Sequence, residues 1–272
     1  MPMPQYFTPD GLCYEVHGPD DAAAVVFLNG TGQSTLYWQN AARRLRRRHR
    51  VVLYDARGQG QSRLNGRRLD LKGHVDDLVR LLDLLRIPRA QLVGLSHGAY
   101  VAAAMAAGHR RRVDGLVLCG VGDVPAAQGL QILQRWCRIL EEEGLAVLAR
   151  RMLADVFGPR FLAANADLRE GMARAIVRRN DAASLAAHFE AVLGYRPLAD
   201  IAMPGPPCLV ISGGQDALVP PEAAARLADL YGGRHVCLPE AGHSVPVEAG
   251  EVFLTLVEAF LRHEGAPSQL LP

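Results

Sequence analysis

Ser96 lies in Gly94-Leu95-Ser96-His97-Gly98, at the seam between an apolar run, "AQLVGL", and an alanine-rich one, "AYVAAAMAA". A serine hydroxyl becomes a useful nucleophile only when a base takes its proton and a third group orients that base. Two later stretches supply those residue types. His243 stands in "PEAGHSVPVE" and Asp216 in "ISGGQDALVP". A hydroxyl, an imidazole and a carboxylate brought together form a proton relay able to attack a carbonyl carbon. Asp123, in "CGVGDVP", is the rival acid; Asp216 is preferred because its loop stands one strand before that of the histidine. Taken singly, Ser96 could be a helix N-cap and Asp216 a turn cap.

Attack on a carbonyl also needs two N–H donors aimed at the developing oxyanion. One expected donor is the backbone N–H of His97, the residue after the serine. The other is that of Thr31 in Asn29-Gly30-Thr31-Gly32, where two glycines permit close backbone approach. The imidazole of His97 is not nominated as the base, because a residue adjacent to such a serine points away from it.

These residues need a scaffold that holds distant loops on one edge. Apolar runs, "LCYEVHG", "AAAVVFLNG", "VVLYD", "AQLVGL", "VDGLVLCG", "PCLVISG" and "RHVCLPE", alternate with helical spacing near residues 35–48, 71–86, after Ser96, from Pro221 and over 248–263. Strands apolar throughout and separated by helices imply a parallel sheet covered on both faces. The expected fold is therefore α/β, a doubly wound and mostly parallel sheet of about eight strands. Ser96 then sits at a strand-turn-helix junction and helix N-terminus, where Gly94 and Gly98 avoid collision with neighbouring backbone and the helix dipole favours negative charge. Residues 124–200 have helical spacing and no strand-like run, so they read as a lid over the strands' carboxyl ends. The expected division is a core of residues 1–123 and 201–264, the lid, and a flexible tail at 265–272.

Bulk composition excludes several other roles. Thirty Lys and Arg against 28 Asp and Glu leave a net charge of +2, which gives no reason to expect nucleic acid as a partner. "RRLRRRHR", residues 43–50, reads as a solvated helix end, with an acidic partner or carrier surface as the other reading. Five scattered cysteines, an odd number, suggest reduced core residues and neither a disulfide frame nor a metal site. The basic start and apolar core of a leader are missing, and no apolar run approaches membrane-spanning length, so a cytoplasmic protein without a membrane span is expected.

In "FLNGTG", "LYDARGQGQSR", "LVGLSHGA", "SGGQDALVP" and "AGHSVPVE", in that order, the chain resembles the α/β-hydrolase superfamily over essentially its whole length. The resemblance implies a Ser96, Asp216, His243 triad and gives the loop containing Asp55, Arg57, Gly58, Gly60 and Ser62 a structural role. The chain departs from many members in having Asn29-Gly30 in place of His-Gly, and His97-Gly98-Ala99 after the serine in place of the commoner Gly-Gly. In "LNG", "VVLYDARGQGQSR" and the spacing of "LQRW" and "LARRMLADVFGPRFLAAN" the chain has a weaker similarity to 3-(3-hydroxyalkanoyloxy)alkanoate synthases, which join two 3-hydroxyacyl chains. The expected activity is hydrolysis of a small or acyl-chain carboxylic ester or thioester through an acyl-enzyme, without metal or organic cofactor. The alternatives are transfer of a 3-hydroxyacyl group from a carrier thioester, with an acyl carrier protein as partner, and a slow or non-catalytic receptor on the same fold. Trp136, Phe157, Phe161 and Phe189 are candidate linings of an acyl pocket, or side chains that only pack lid helices together.

Overall fold

Residues Ala24–Leu28, Ala90–Leu95 and Cys208–Gly213 are buried at every position, which a strand achieves only with cover on both faces. The computed structural model describes residues 4–64, 66, 68–202 and 204–262. The expected tail at 265–272, and the last residue of the expected final helix, lie outside them.

The elements run β1 (Tyr6–Phe7), β2 (Cys13–His17), β3 (Ala24–Leu28), α1 (Gln39–Leu45), β4 (Arg50–Tyr54), α2 (Leu71–Leu84), β5 (Ala90–Leu95), α3 (His97–Gly108) and β6 (Val113–Cys119). Five helices follow: α4 (Ala127–Glu142), α5 (Leu145–Val156), α6 (Pro159–Ala164), α7 (Arg169–Arg179) and α8 (Ala182–Leu193). The chain then returns through β7 (Cys208–Gly213), α9 (Pro221–Tyr231), β8 (Arg234–Leu238), α10 (Val245–Glu248) and α11 (Gly250–Arg262).

The strands form one eight-stranded sheet in the order β1-β2-β4-β3-β5-β6-β7-β8. The β1/β2 and β2/β4 pairs are antiparallel and all others parallel. This is the doubly wound, mostly parallel architecture expected from the alternation of apolar runs and helices. Sequence reading misses β1, whose two residues are too few to show any alternation. One apolar layer packs α2, α3 and α9 residues such as Leu78, Val101 and Leu227 against the sheet. The opposite layer uses Trp38, Phe253 and Val257 from the α1 and α11 side. Arg44 of the arginine run is held there by Glu251 and Glu258 of α11, and Arg50 opens β4, so part of that run is engaged within the chain.

The order in which the chain adds strands reverses at β3, which lies between β4 and β5, so loops after β3 and β5 diverge over a crevice at the sheet's carboxyl edge. The Asp55 loop braces this edge. Its carboxylate accepts the N–H groups of Thr35 (2.6 Å) and Gln61 (2.8 Å), and Arg57 forks onto Asp77 with two 2.8 Å contacts. Helix α3 packs directly on the sheet because its sheet-facing residues, Ala99, Ala102 and Ala103, are small and fully buried. Gly98 makes that approach possible: a Cβ there would stand 2.3 Å from the Leu28 carbonyl oxygen. The obstacle is backbone of a central strand and cannot swing aside. Gly98→Ala should therefore lower stability toward or beyond the upper end of the about 1–3 kcal/mol typical of overpacking, read as a shift of the urea unfolding midpoint.

Candidate active site

Ser96 joins β5 to α3 with φ 53° and ψ −117°, one of two non-glycine residues with positive φ among those described. Such a conformation costs on the order of 1–3 kcal/mol and persists only where its surroundings over-determine it. Here the Ser96 N–H donates to the Cys119 carbonyl at 2.8 Å and the Ser96 carbonyl accepts from Ala99 and Tyr100. Gly94 and Gly98 close the turn from both sides, since a Cβ on Gly94 would lie 2.5 Å from the Gly98 carbonyl oxygen. The serine is half-buried while its neighbours from Leu92 to Ala99 are buried, so the turn offers one side chain to the crevice.

Asp216 follows β7 and His243 follows β8, and the structure brings them together: His243 Nδ1 and Asp216 Oδ2 are 2.8 Å apart. The other carboxylate oxygen of Asp216 accepts the N–H groups of Leu218 and Val219 at 2.8 and 3.0 Å. A carboxylate can only accept, so Nδ1 carries the proton and Nε2 presents a lone pair. Burial alone would lower the His243 pKa. The charge and hydrogen bond of Asp216, aided by the Glu248 charge, reverse this and hold it above the ordinary 6.5. Gly120 leaves space for the ring, because a Cβ there would meet His243 Cε1 at 2.9 Å. The rival acid, Asp123, is committed elsewhere, forked onto Arg226 at 2.8 and 3.0 Å.

Backbone donors beside Ser96 can be assigned by what their neighbours already bind. In the loop after β3, Gly30 N–H donates to Gln33 Oε1 at 2.8 Å. The N–H groups of Gly32 and Gln33 donate to Gln59 Oε1 at 2.6 and 3.2 Å. Thr31 is left between them with its N–H uncommitted among these bonds. His97 is the first residue of α3, where a helix leaves its N–H without an internal acceptor. Both residues, Ser96 and His243 line one cavity of about 400 Å³. The His97 ring is held by Tyr195, with its Nδ1 3.2 Å from the Tyr195 hydroxyl. Burial, reinforced by His74 and His188, holds His97 well below its ordinary pKa.

The sequence pattern of the Alpha/beta hydrolase family matches residues 25–256. The chain belongs to the α/β-hydrolase family. It is 31% identical over 269 residues, covering 95% of this chain and 98% of the relative, to a Caulobacter sp. (strain K31) protein named "Putative carbamate hydrolase RutD". The enol-lactonase from Burkholderia xenovorans LB400 superposes with a TM-score of 0.86 at 26% identity, covering 96% of this chain and 100% of that one. A hydrolase from Pseudomonas aeruginosa PA01 superposes with a TM-score of 0.83 at 30% identity, covering 97% and 98%.

In this α/β hydrolase residues of α4, α5, α7 and α8 form the roof of the cavity. Trp136 and Phe157 line it, as do Leu133, Met152 and Ile176. Phe161 and Phe189 do not. Phe161 stacks on the outer side of Phe157 with ring centroids 4.7 Å apart, and Phe189 is fully buried against Trp136 inside the roof. Helical spacing shows that these aromatics face inward, but not whether they face the cavity or one another. Trp136 is pinned by its indole N–H, which donates to Asp155 at 2.8 Å.

Sequence reading also misses two positioning residues of the hydrolase. Gln59, 1% exposed, holds the Thr31 loop; its signal is a polar residue wedged between the glycines of "RGQGQ". Glu248, five residues past His243, accepts the N–H groups of Gly158 (2.8 Å), Gly242 (2.9 Å) and Ser244 (3.2 Å). It thereby ties the roof to the histidine loop. Among the described residues, no helix is long and apolar enough to cross a membrane. Glu248→Ala strands the Gly158 and Gly242 N–H groups, while Ser244 N–H keeps the Val156 carbonyl, and should cost about 2–3 kcal/mol in thermal or urea unfolding. Glu248→Gln, whose carbonyl can replace the oxygen serving Gly158 and Gly242, should cost clearly less.

Proposed function

We propose that this enzyme cleaves carboxylic esters or thioesters through an acyl-enzyme formed on Ser96. The observation that carries the reading is the strained Ser96 turn opening on the same cavity as an imidazole whose far nitrogen is held by Asp216. In the first step His243 Nε2 takes the Ser96 proton as Oγ attacks the acyl carbon. Asp216 keeps the imidazole in the required tautomer and stabilises the imidazolium. The N–H groups of Thr31 and His97 receive the oxyanion. His243 then protonates the leaving group, and water, deprotonated in turn by His243, releases the acid. The names of two relatives favour this chemistry: a lactone is a cyclic ester, and carbamate hydrolysis likewise begins at a carbonyl carbon.

Residues 124–200 act as the lid and residues 1–123 with 201–264 as the catalytic core, in a cytoplasmic enzyme. The apolar roof suits a hydrocarbon acyl chain. Among the described residues, Arg179 is the one Lys, Arg, Asp or Glu side chain lining the cavity, so an acyl group ending in a carboxylate is preferred over a neutral one. Hydrolysis is separated from acyl transfer by product analysis with a 3-hydroxyacyl thioester. Free acid supports hydrolysis, and a dimeric ester means that a hydroxyl replaces water.

A fluorophosphonate should label Ser96, and Ser96→Ala should abolish labelling while lowering ester turnover by about 10⁴–10⁶-fold. Loss of less than about tenfold on p-nitrophenyl esters and acyl thioesters overturns the mechanism. His243 must be neutral to accept the proton and its pKa is raised. Accordingly, kcat/KM should fall as pH drops, with the acid limb midpoint above 6.5. Asp216→Asn should remove about 10⁴-fold in kcat. Arg179→Ala should raise KM for a carboxylate-ended ester about tenfold or more, with little change for its neutral counterpart.

A further inference from the structure

Beside the serine turn three histidines meet, of which His97 alone also lines the large cavity. His74 comes from α2, His97 from the first turn of α3 and His188 from roof helix α8, and they are 3%, 2% and 0% exposed. Their ring centroids are 4.6, 5.3 and 5.2 Å apart. One nitrogen of each ring falls in a group whose members all lie within 4.8 Å of one another. His74 Nε2, His97 Nε2 and His188 Nδ1 are buried and have no hydrogen-bond partner. Three buried polar atoms without a partner at one place are destabilising unless something else satisfies them.

The remaining nitrogens show what that something can be. His188 Nε2 is 2.6 Å from the Arg57 carbonyl oxygen. A carbonyl only accepts, so the proton sits on Nε2 and His188 Nδ1 is a bare lone pair. His97 Nδ1 is engaged by the Tyr195 hydroxyl. An imidazole with one nitrogen anchored to a backbone carbonyl or hydroxyl and the other open is the usual state of a metal-bound histidine. A small cavity of about 120 Å³, lined by His74 together with Asp70, Asp76, Asp77, Arg57 and Arg80, touches the cluster at His74. The Arg57 guanidinium there is already neutralised by Asp77 and Asp10.

We propose that His74, His97 and His188 form a binding site for one divalent transition-metal ion of the zinc, cobalt or nickel class, with a water molecule as fourth ligand. Imidazole suits these ions. Zn–N bonds of about 2.0–2.1 Å need the nitrogens about 3.4 Å apart, so the rings close inward by up to about an ångström as the ion enters. Because His188 belongs to the roof and the other two to the core, the ion bolts roof to core. It also fixes the helix turn that carries the His97 N–H. The site stands independently of the serine chemistry, since none of its test reads turnover.

The test uses the full chain, stripped with chelator and dialysed. Cobalt(II) titration should give an intense visible band of low-coordinate geometry that saturates at one equivalent. One equivalent of zinc should raise the melting temperature. His74→Gln and His188→Gln should each weaken binding by roughly 100-fold or more, and Tyr195→Phe by roughly tenfold, with circular dichroism verifying folding. If the histidine variants fail to fold, anomalous scattering from zinc-soaked wild-type crystals decides, with a single peak expected among the three rings. No saturable binding, binding unchanged in both variants, or a peak elsewhere such as at His243 overturns the proposal and leaves a bridging water to satisfy the three nitrogens.

Discussion

The backbone at residue 96 must reverse from strand to helix within one residue, and everything else at the crevice depends on that turn. A side chain at positive φ is tolerated because Gly94, Gly98 and Ala99 press the outgoing helix onto the incoming strand. The same contact brings the start of α3 against the Leu28 and Asn29 carbonyls, so the loop after β3 stands beside the helix N-terminus. One steric condition therefore sets three things: exposure of the Ser96 side chain, an uncommitted His97 N–H and the nearness of Thr31. Strain here is not a defect to be relieved, since a relaxed turn would withdraw the hydroxyl into the sheet.

The roof is joined to this edge at polar seams that each touch a working loop. Asn180, just after α7, donates to the Gly32 carbonyl at 3.1 Å. On the opposite side Ser244 N–H reaches the Val156 carbonyl at 3.1 Å, and Glu248 gathers Gly158 with the histidine loop. His188 enters beside the serine turn and binds the Arg57 carbonyl. A roof attached in this way does more than shape the cavity. Displacing it would disturb the Thr31 loop, the His243 loop and the packing behind His97 together, so the position of the roof and the geometry at Ser96 are coupled through backbone hydrogen bonds.

Much of this was legible in the chain because it is written locally. Strands read as unbroken apolar runs, turns as glycine clusters, and the three loops after β5, β7 and β8 carry Ser96, Asp216 and His243 in short recognisable surroundings. What escaped is encoded in the meeting of distant segments. Glu248 resembles any helix-start glutamate until Gly158 arrives from the roof, and Gln59 resembles a surface residue until Gly32 and Gln33 lie over it. His74, His97 and His188 share no spacing that periodicity could detect. For Phe161 and Phe189 the sequence leaves cavity wall and helix packing open, because helical spacing gives the direction of a face but not its neighbour. The two-residue strand β1 fell below the length at which a pattern exists.

Two carboxylates near one imidazole might be expected to compete for it, yet their hydrogen bonds divide the work. Asp216 keeps one oxygen on the Leu218 and Val219 N–H groups, which aims the other at His243 Nδ1. Glu248 spends both oxygens on three backbone N–H groups and reaches His243 only through its charge. Burial and the nearby Asp216 charge push Glu248 itself upward, while the three donors pull it down. The outcome is a field that favours positive charge on the imidazole, supplied by a group that cannot rotate in to replace Asp216. A second acid that is saturated by backbone donors can thus tune the histidine without disturbing its tautomer, and the donors that saturate it are the ones that fasten the roof.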